Sequence, residues 1–183
     1  MTIVNLYKKL KQVLNESNSA LIGQGFSEVD SLYQIPSEIK KHGEINCLPY
    51  LLRDELLEVA AEDLYGVTRI KNYAFYNCKS LTSITIPDSV TSIGDYAFAH
   101  CTSLTSITIP KSVIYIGPEA FYGCTKLTDV YVKSTIPPTL HNTTNVFPTT
   151  TIIHVPIGSG NAYKSATNWS NCANRIVEDI VTE

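Results

Sequence analysis

The hydrophobic and polar positions of this chain recur as a fixed phrase. In LTSITIP the apolar residues Leu81, Ile84 and Ile86 are separated by Thr and Ser, the spacing of a short strand with one face turned inward, and Pro87 removes the next ladder donor. The DSVTSIG that follows supplies a second inward pair, Val90 and Ile93, before Gly94 permits a turn. DYAF then predicts a helical turn that buries Phe98. FYNCKSLTSITIPDSVTSIGDYA begins at Phe75, FAHCTSLTSITIPKSVIYIGPEA at Phe98 and FYGCTKLTDVYV at Phe121, so the pattern repeats every 23 residues. Phe75, Phe98 and Phe121 form one column, Cys78, Cys101 and Cys124 a second, and Leu81, Leu104 and Leu127 a third.

One such coil cannot bury its apolar side alone. Stacked at the strand spacing of about 4.8 Å, the strands form a parallel sheet and the columns close into a continuous core. The expected fold is therefore a solenoid, mostly β, of short parallel strands with connecting arcs. The period reaches Ile153, Val155 and Pro156, which lie 46 residues after Ile107, Ile109 and Pro110. The arc at residues 133–150 keeps the count while losing most of the consensus, as terminal repeats do. Upstream, VTRIKNYAF matches VTSIGDYAF, and its strand is expected over residues 57–61. That coil is two residues longer, because Val59 lies 25 residues before Ile84; a helix over residues 51–64 is the competing reading.

The string F-x-x-C-x-S-L-T-S-I-T-I-P-x-S-V-x-x-I-G-x-x-A-F resembles the BspA-like class of leucine-rich repeats over about residues 57–133. IIHVPIGSGNAYKSATNWSNCANRIVED resembles that family's closing segment, a final strand and V-P followed by a helix, with Ala162, Tyr163, Lys164, Ala166 and Trp169 as the matching positions. The resemblance implies a leucine-rich repeat solenoid closed by a C-terminal helix, and adhesion or surface recognition, as in many relatives.

Residues 1–22 are of another kind, with Leu6, Leu10, Val13, Leu14 and Leu21 at helical spacing and Gly23 and Gly25 as a stop. Residues 26–41 read as a turn and a helix starting at Pro36. The chain thus divides into an N-terminal helical arm, residues 1–46, and a solenoid with its cap, residues 47–183. Residues 1–42 are similar to N-terminal regions of bacteriophage virion proteins, which implies a particle component that attaches or oligomerises through the arm.

Composition removes several classes. At 183 residues with 44% hydrophobic residues, one core is expected, and a net charge of -3 gives no footprint for nucleic acid. No apolar run is long enough for a membrane span, and Lys8, Lys9 and Lys11 interrupt the stretch a signal peptide would need. The expected location is a virion or the cytoplasm of a bacterial host. The five Cys read as reduced thiols, and the 23-residue spacing of three of them is a core column rather than the paired spacing of a zinc site. The His residues at 42, 100, 141 and 154 show neither H-E-x-x-H nor a carboxylate at helical spacing, and Gly158, Ser159 and Gly160 form a loop. No catalytic residue, metal or cofactor is expected.

Function is then expected on the strand face that points away from the core. Its rows are Ser83, Ser106, Asp129 and Ile152, and beside them Thr85, Thr108, Tyr131 and His154. Ser and Thr there are also simply soluble strand formers, so the weight falls on the C-terminal half with its aromatic anchor. The expected function is a non-catalytic protein-interaction module, a structural or surface-exposed component of a phage particle that recognises a protein partner through this face or self-assembles through the N-terminal helix. The alternative is a bacterial BspA-like surface adhesin that binds carbohydrate, motivated by Tyr73, Tyr76, Tyr96, Tyr115 and Tyr122 on the arcs.

Overall fold

The computed structural model describes residues 44–45, 58–141 and 146–181, and the helices expected over residues 1–22 and 26–41 lie outside them, as does Cys47. Two parallel ladders run the length of the described chain. One carries β2 (Glu58–Val59), β4 (Ser83–Ile84), β6 (Ser106–Ile109), β8 (Asp129–Val132), β10 (Ile152–Pro156) and β11 (Ile176–Ile180). In it β2 pairs with β4, and β6, β8, β10 and β11 follow in order, the two groups being joined by a bridge between Thr85 and Thr108. The other ladder is β1 (Glu44–Ile45), β3 (Arg69–Ile70), β5 (Ser92–Ile93), β7 (Tyr115–Ile116) and β9 (Thr139–Leu140). The leucine-rich repeat solenoid is thus present as expected, with a second strand per coil that the alternation around Val90 and Ile93 had shown only as an inward pair. β1 falls within residues 1–46 and pairs with β3 of the solenoid.

Register explains the columns. Ile107, Val130, Ile153 and Ile176 are successive partners across β6, β8, β10 and β11, and all four are buried. Phe75, Phe98, Phe121 and Phe147 stack with centroids 5.1, 5.3 and 5.4 Å apart, and Trp169 ends the row 5.9 Å from Phe147. Each stacked pair adds roughly 0.5–1.5 kcal/mol beyond area burial. The thiols sit beside them: Cys101 Sγ donates to Phe75 O at 3.1 Å and Cys124 Sγ to Phe98 O at 3.0 Å. Hydroxyls do the same at the coil corners, where Ser89 donates to Val67 O, Ser112 to Val90 O and Thr151 to Leu127 O, each at 2.7 Å.

The arcs depart from the expected helical turn. Tyr73, Tyr96 and Glu119 occupy one left-handed position, with φ of 61, 53 and 51°, and Asn77, His100 and Gly123 a second, with φ of 61, 62 and 71°. Left-handed backbone costs a side chain energy. Here it turns alternate amides toward the next coil: Tyr73 N donates to Asp95 O, Phe75 N to Ala97 O and Asn77 N to Ala99 O, at 2.9, 2.7 and 2.8 Å. A helical turn would keep those amides within its own coil.

Both ends of the described solenoid adapt the pattern. Of the strand expected over residues 57–61, β2 covers Glu58–Val59, whereas Ala61 opens a 3-10 turn, Ala61–Leu64, in this longer coil. At the other end, Pro156 makes the same turn as Pro87 and Pro110, its carbonyl accepting from Ser159 N at 3.0 Å, and leads into the expected closing helix, α1 (Gly160–Ser165). A 3-10 segment, Trp169–Arg175, follows. The cap holds the degenerate arc by its polar tips: Tyr163 OH donates to Ser134 O, Trp169 Nε1 to Pro138 O and Asn168 Nδ2 to Leu140 O, at 2.7, 2.7 and 2.8 Å. β11 then adds one further parallel strand, which keeps the register of its predecessors as far as Val155 and slips by one residue before Pro156.

Candidate functional site

The outward face of the first ladder carries the expected rows in order. Ser106 is the partner of Asp129 and Asp129 of Ile152; Thr108 is the partner of Tyr131 and Tyr131 of His154. Ser83 and Thr85 begin the same two rows on the preceding coil and are exposed. Up to β6 these rows present only small hydroxyls. From β8 onward they change character, with Tyr131 36% and Ile152 42% exposed.

β11 extends the second row by one position, because Val177 is the partner of His154 and is 43% exposed. Tyr131, Ile152 and Val177 therefore form an apolar patch across three adjacent strands, around His154. The imidazole stacks on the Tyr131 ring with centroids 4.4 Å apart. Its Nε2 lies 3.0 Å from Asp129 Oδ1 and its Nδ1 2.6 Å from Asp179 Oδ2, while the side chain is only 13% exposed. The Thr128 hydroxyl donates to the other oxygen of Asp129 at 2.6 Å. That bond, and then the one from His154, hold the Asp129 carboxyl below its usual range.

Sequence reasoning placed Asp129, Tyr131, Ile152 and His154 together, and the structure does bring them together. It missed Val177 and Asp179. Both had a signal, since Ile176 lies a further 23 residues beyond Ile153 and extends the period onto a strand no motif announced.

The chemistry of this cluster is structural rather than reactive. Both ring nitrogens of His154 face a carboxylate, so neither is presented to a substrate or a metal. Among the described residues no set of three or more His, Cys, Asp or Glu side chains is arranged to hold a metal ion. The neighbouring thiols of Cys124 and Cys78, together with burial, push the Cys101 thiol well above its ordinary range, which makes it a poor nucleophile. On the arcs, Tyr73 and Tyr96 lie parallel to within 1° at 5.1 Å, and His100 meets Tyr76 and Tyr122 edge to face. These rings turn toward one another along the stack. The second ladder bears a hollow of about 850 Å³, floored at Gly94 and bordered by Lys71, Asp95 and Tyr115.

Parallel ladders in a 23-residue register with stacked Phe and Cys columns define a leucine-rich repeat solenoid. A model of the BspA type leucine-rich repeat region matches residues 60–175 in six copies, and the chain belongs to that family. No curated protein matches it. Among solved structures it is similar to a leucine-rich cell surface protein from Faecalibacterium prausnitzii, at 30% identity over 55% of this chain and 29% of that one, with a TM-score of 0.35. It is also similar to a leucine-rich repeat protein from Bacteroides ovatus, at 20% identity over 61% of this chain and 42% of that one, with a TM-score of 0.31. The chain spans less than half the length of either. The family match begins at residue 60, so the bacteriophage resemblance of residues 1–42 finds no support in it. Among the described residues no helix is long and apolar enough to cross a membrane.

Proposed function

We propose that this protein is a non-catalytic recognition module that binds a protein partner through the C-terminal end of its outward strand face. The carrying observation is the change along the rows: hydroxyls give way to Tyr131, Ile152 and Val177, exposed on three successive strands around His154. Aromatic and branched anchors held on a sheet lose little side-chain entropy on binding, which is why such positions dominate interface energetics. Asp129 and Asp179 add a polar, acidic border, suited to a partner that offers an apolar contact flanked by basic groups.

Of the settings expected from sequence, surface recognition fits the repeat family, whereas the phage component is tied to residues 1–42 alone. A protein partner is favoured over a glycan because the outward face offers aliphatic Ile152 and Val177 beside Tyr131, a mixed apolar surface rather than a set of ring platforms. The test is a comparison of two baits, wild type and Tyr131→Ala/Ile152→Ser, against surface proteins from the native host community. A partner retained by wild type and lost by the double variant, with both baits folded, supports the reading. Equal retention by both baits, or a glycan-array signal abolished by Tyr73→Ala instead, overturns it.

A further inference from the structure

Three strands meet at His154. Its nitrogens reach Asp129 on β8 and Asp179 on β11 from a side chain rooted on β10. An ionised carboxylate only accepts hydrogen bonds, so both nitrogens must carry a proton for both bonds to stand, and the ring that satisfies them is the imidazolium. A neutral ring has one N–H and turns a bare lone pair toward the remaining carboxylate. Burial works against the charge, but the bonds and fields of Asp129 and Asp179 outweigh it and hold the ring above its ordinary value.

Among the described residues, the charged side chains that flank Asp179 in sequence or end the preceding segment have partners of their own. Glu178, next to Asp179, accepts from the backbone amides of Gly158 and Gly160. Arg175 donates to the carbonyls of Pro148 and Thr151 at 2.6 and 2.8 Å. Tyr131 offers the imidazole its ring face. Among the described residues β11 pairs with β10 alone, and their register slips between Val155 and Pro156, beside Asp179. The imidazole bridge is thus a side-chain tie from this strand across β10 to β8, beside the bonds that Glu178 makes to the turn before α1.

We propose that Asp129, His154 and Asp179 form a proton-controlled latch, in which the protonated ring fastens β11 to the repeat face and completes the recognition patch with Val177. When the ring gives its proton to solvent, only one of the two bonds can stand, the bridge from β8 to β11 is broken, and β11 is held to the repeat face less firmly. The latch is a property of strand pairing and needs no partner; only its consequence for recognition rests on the reading above.

The experiment is amide hydrogen exchange followed by NMR on the full chain, expressed as protection factors, at about pH 5.5 and about pH 9, on either side of the His154 titration. In wild type, protection of the β11 amides falls on going to the higher pH while that of β6 and β8 holds. The fall is about tenfold for each unit by which the latch raises the ring's midpoint. His154→Gln has a single donor end, cannot bridge two carboxylates, and leaves β11 weakly protected at both pH values. Asp179→Asn accepts from a protonated ring nitrogen and donates to a bare one, so it keeps β11 protected across the range and removes the pH dependence. Equal wild-type protection on both sides of a measured His154 titration overturns the latch, and so does an Asp179→Asn profile that follows wild type. Should His154→Gln fail to fold, wild type and Asp179→Asn decide the matter. A latch profile without any partner sensitive to Tyr131→Ala refutes recognition alone; a flat profile with that partner still bound refutes the latch alone.

Discussion

The middle coils and the C-terminal end of this solenoid are built from the same count of residues and differ in what they do with it. Between residues 67 and 128 every position has an equivalent 23 residues away, so core rings stack, hydroxyls bond to the previous coil, and the outward face repeats Ser and Thr. From β8 onward the outward rows acquire Tyr131, Ile152, His154 and Val177, and beyond Val132 the consensus breaks and an irregular arc is pinned by cap side chains. Repetition supplies stability because each coil satisfies its neighbour. Distinctive chemistry arises where a row stops copying itself.

The largest effect that separates the two regions is in the ring column. Phe98 is stacked on both sides, by Phe75 and Phe121, and is fully buried. Phe98→Ala should destabilise by about 3–5 kcal/mol, and Leu104→Ala, in the same coil, by about 2–5 kcal/mol, through the cavities left in a packed core. Chemical denaturation measures both. A loss under about 1 kcal/mol for Phe98→Ala would mean that the coils do not depend on one another for their core.

Two glycines sharpen the contrast at smaller magnitude. A Cβ at Gly94 would lie 2.5 Å from Asn72 N and 2.6 Å from Lys71 C, backbone atoms of the preceding coil that have no room to yield. Gly94→Ala should cost about 1–3 kcal/mol by overpacking. Gly158, in the turn before α1, has φ +85° and nothing within 4 Å of its would-be Cβ. Its substitution by Ala is resisted by backbone conformation alone, at about 1–2 kcal/mol. Gly158→Asn, which tolerates the left-handed region better, should recover part of that loss, while Gly94→Asn should be worse than Gly94→Ala. Thermal melts of the four variants check the order.

These same particulars show what was legible beforehand. The Phe, Cys and Leu columns, the strands and the closing helix could be read because a coil that cannot bury itself must align equivalent residues. The left-handed position at Tyr73, Tyr96 and Glu119 could not, since those residues do not advertise positive φ and inter-coil amides impose it; the second position, at Asn77, His100 and Gly123, did carry a signal in its residue types. The histidine cluster was missed because its carboxylates were sought at helical spacing. Asp129, His154 and Asp179 are separated by 25 residues at each step, which in a 23-residue coil is one strand across and two positions along.

The C-terminal cluster also predicts a pH dependence, centred on His154 and Asp129. His154 is raised above its ordinary 6.5, so its contribution is complete below 6.5 and is lost as pH rises through the folded-state value. Asp129 is lowered below its ordinary 3.8, so its contribution is present above 3.8 and is lost as pH falls through the folded-state value. Together they place the cluster's greatest contribution between 3.8 and 6.5. In Asp129→Asn the stability of the chain, followed by urea denaturation across pH, should lose part of its decline above 6.5. An unchanged alkaline slope in that variant would remove Asp129 from the bridge.

The smallest effect tests the comparison at its most even point. Thr108 and Tyr131 are cross-strand partners in one outward row, the first belonging to the repeated face and the second to the distinctive end. The bridge that joins Thr108 to Thr85 is made by backbone, so Thr108→Ala leaves the ladder intact. It should change stability by no more than about 0.5 kcal/mol, the range of an ordinary surface substitution. It should also leave partner retention unaltered, while Tyr131→Ala, one strand away, abolishes it. If Thr108→Ala weakens binding as much as Tyr131→Ala, the hydroxyl rows are part of the recognition surface, and the division between a supporting middle and a recognising end gives way to a single face read along its whole length.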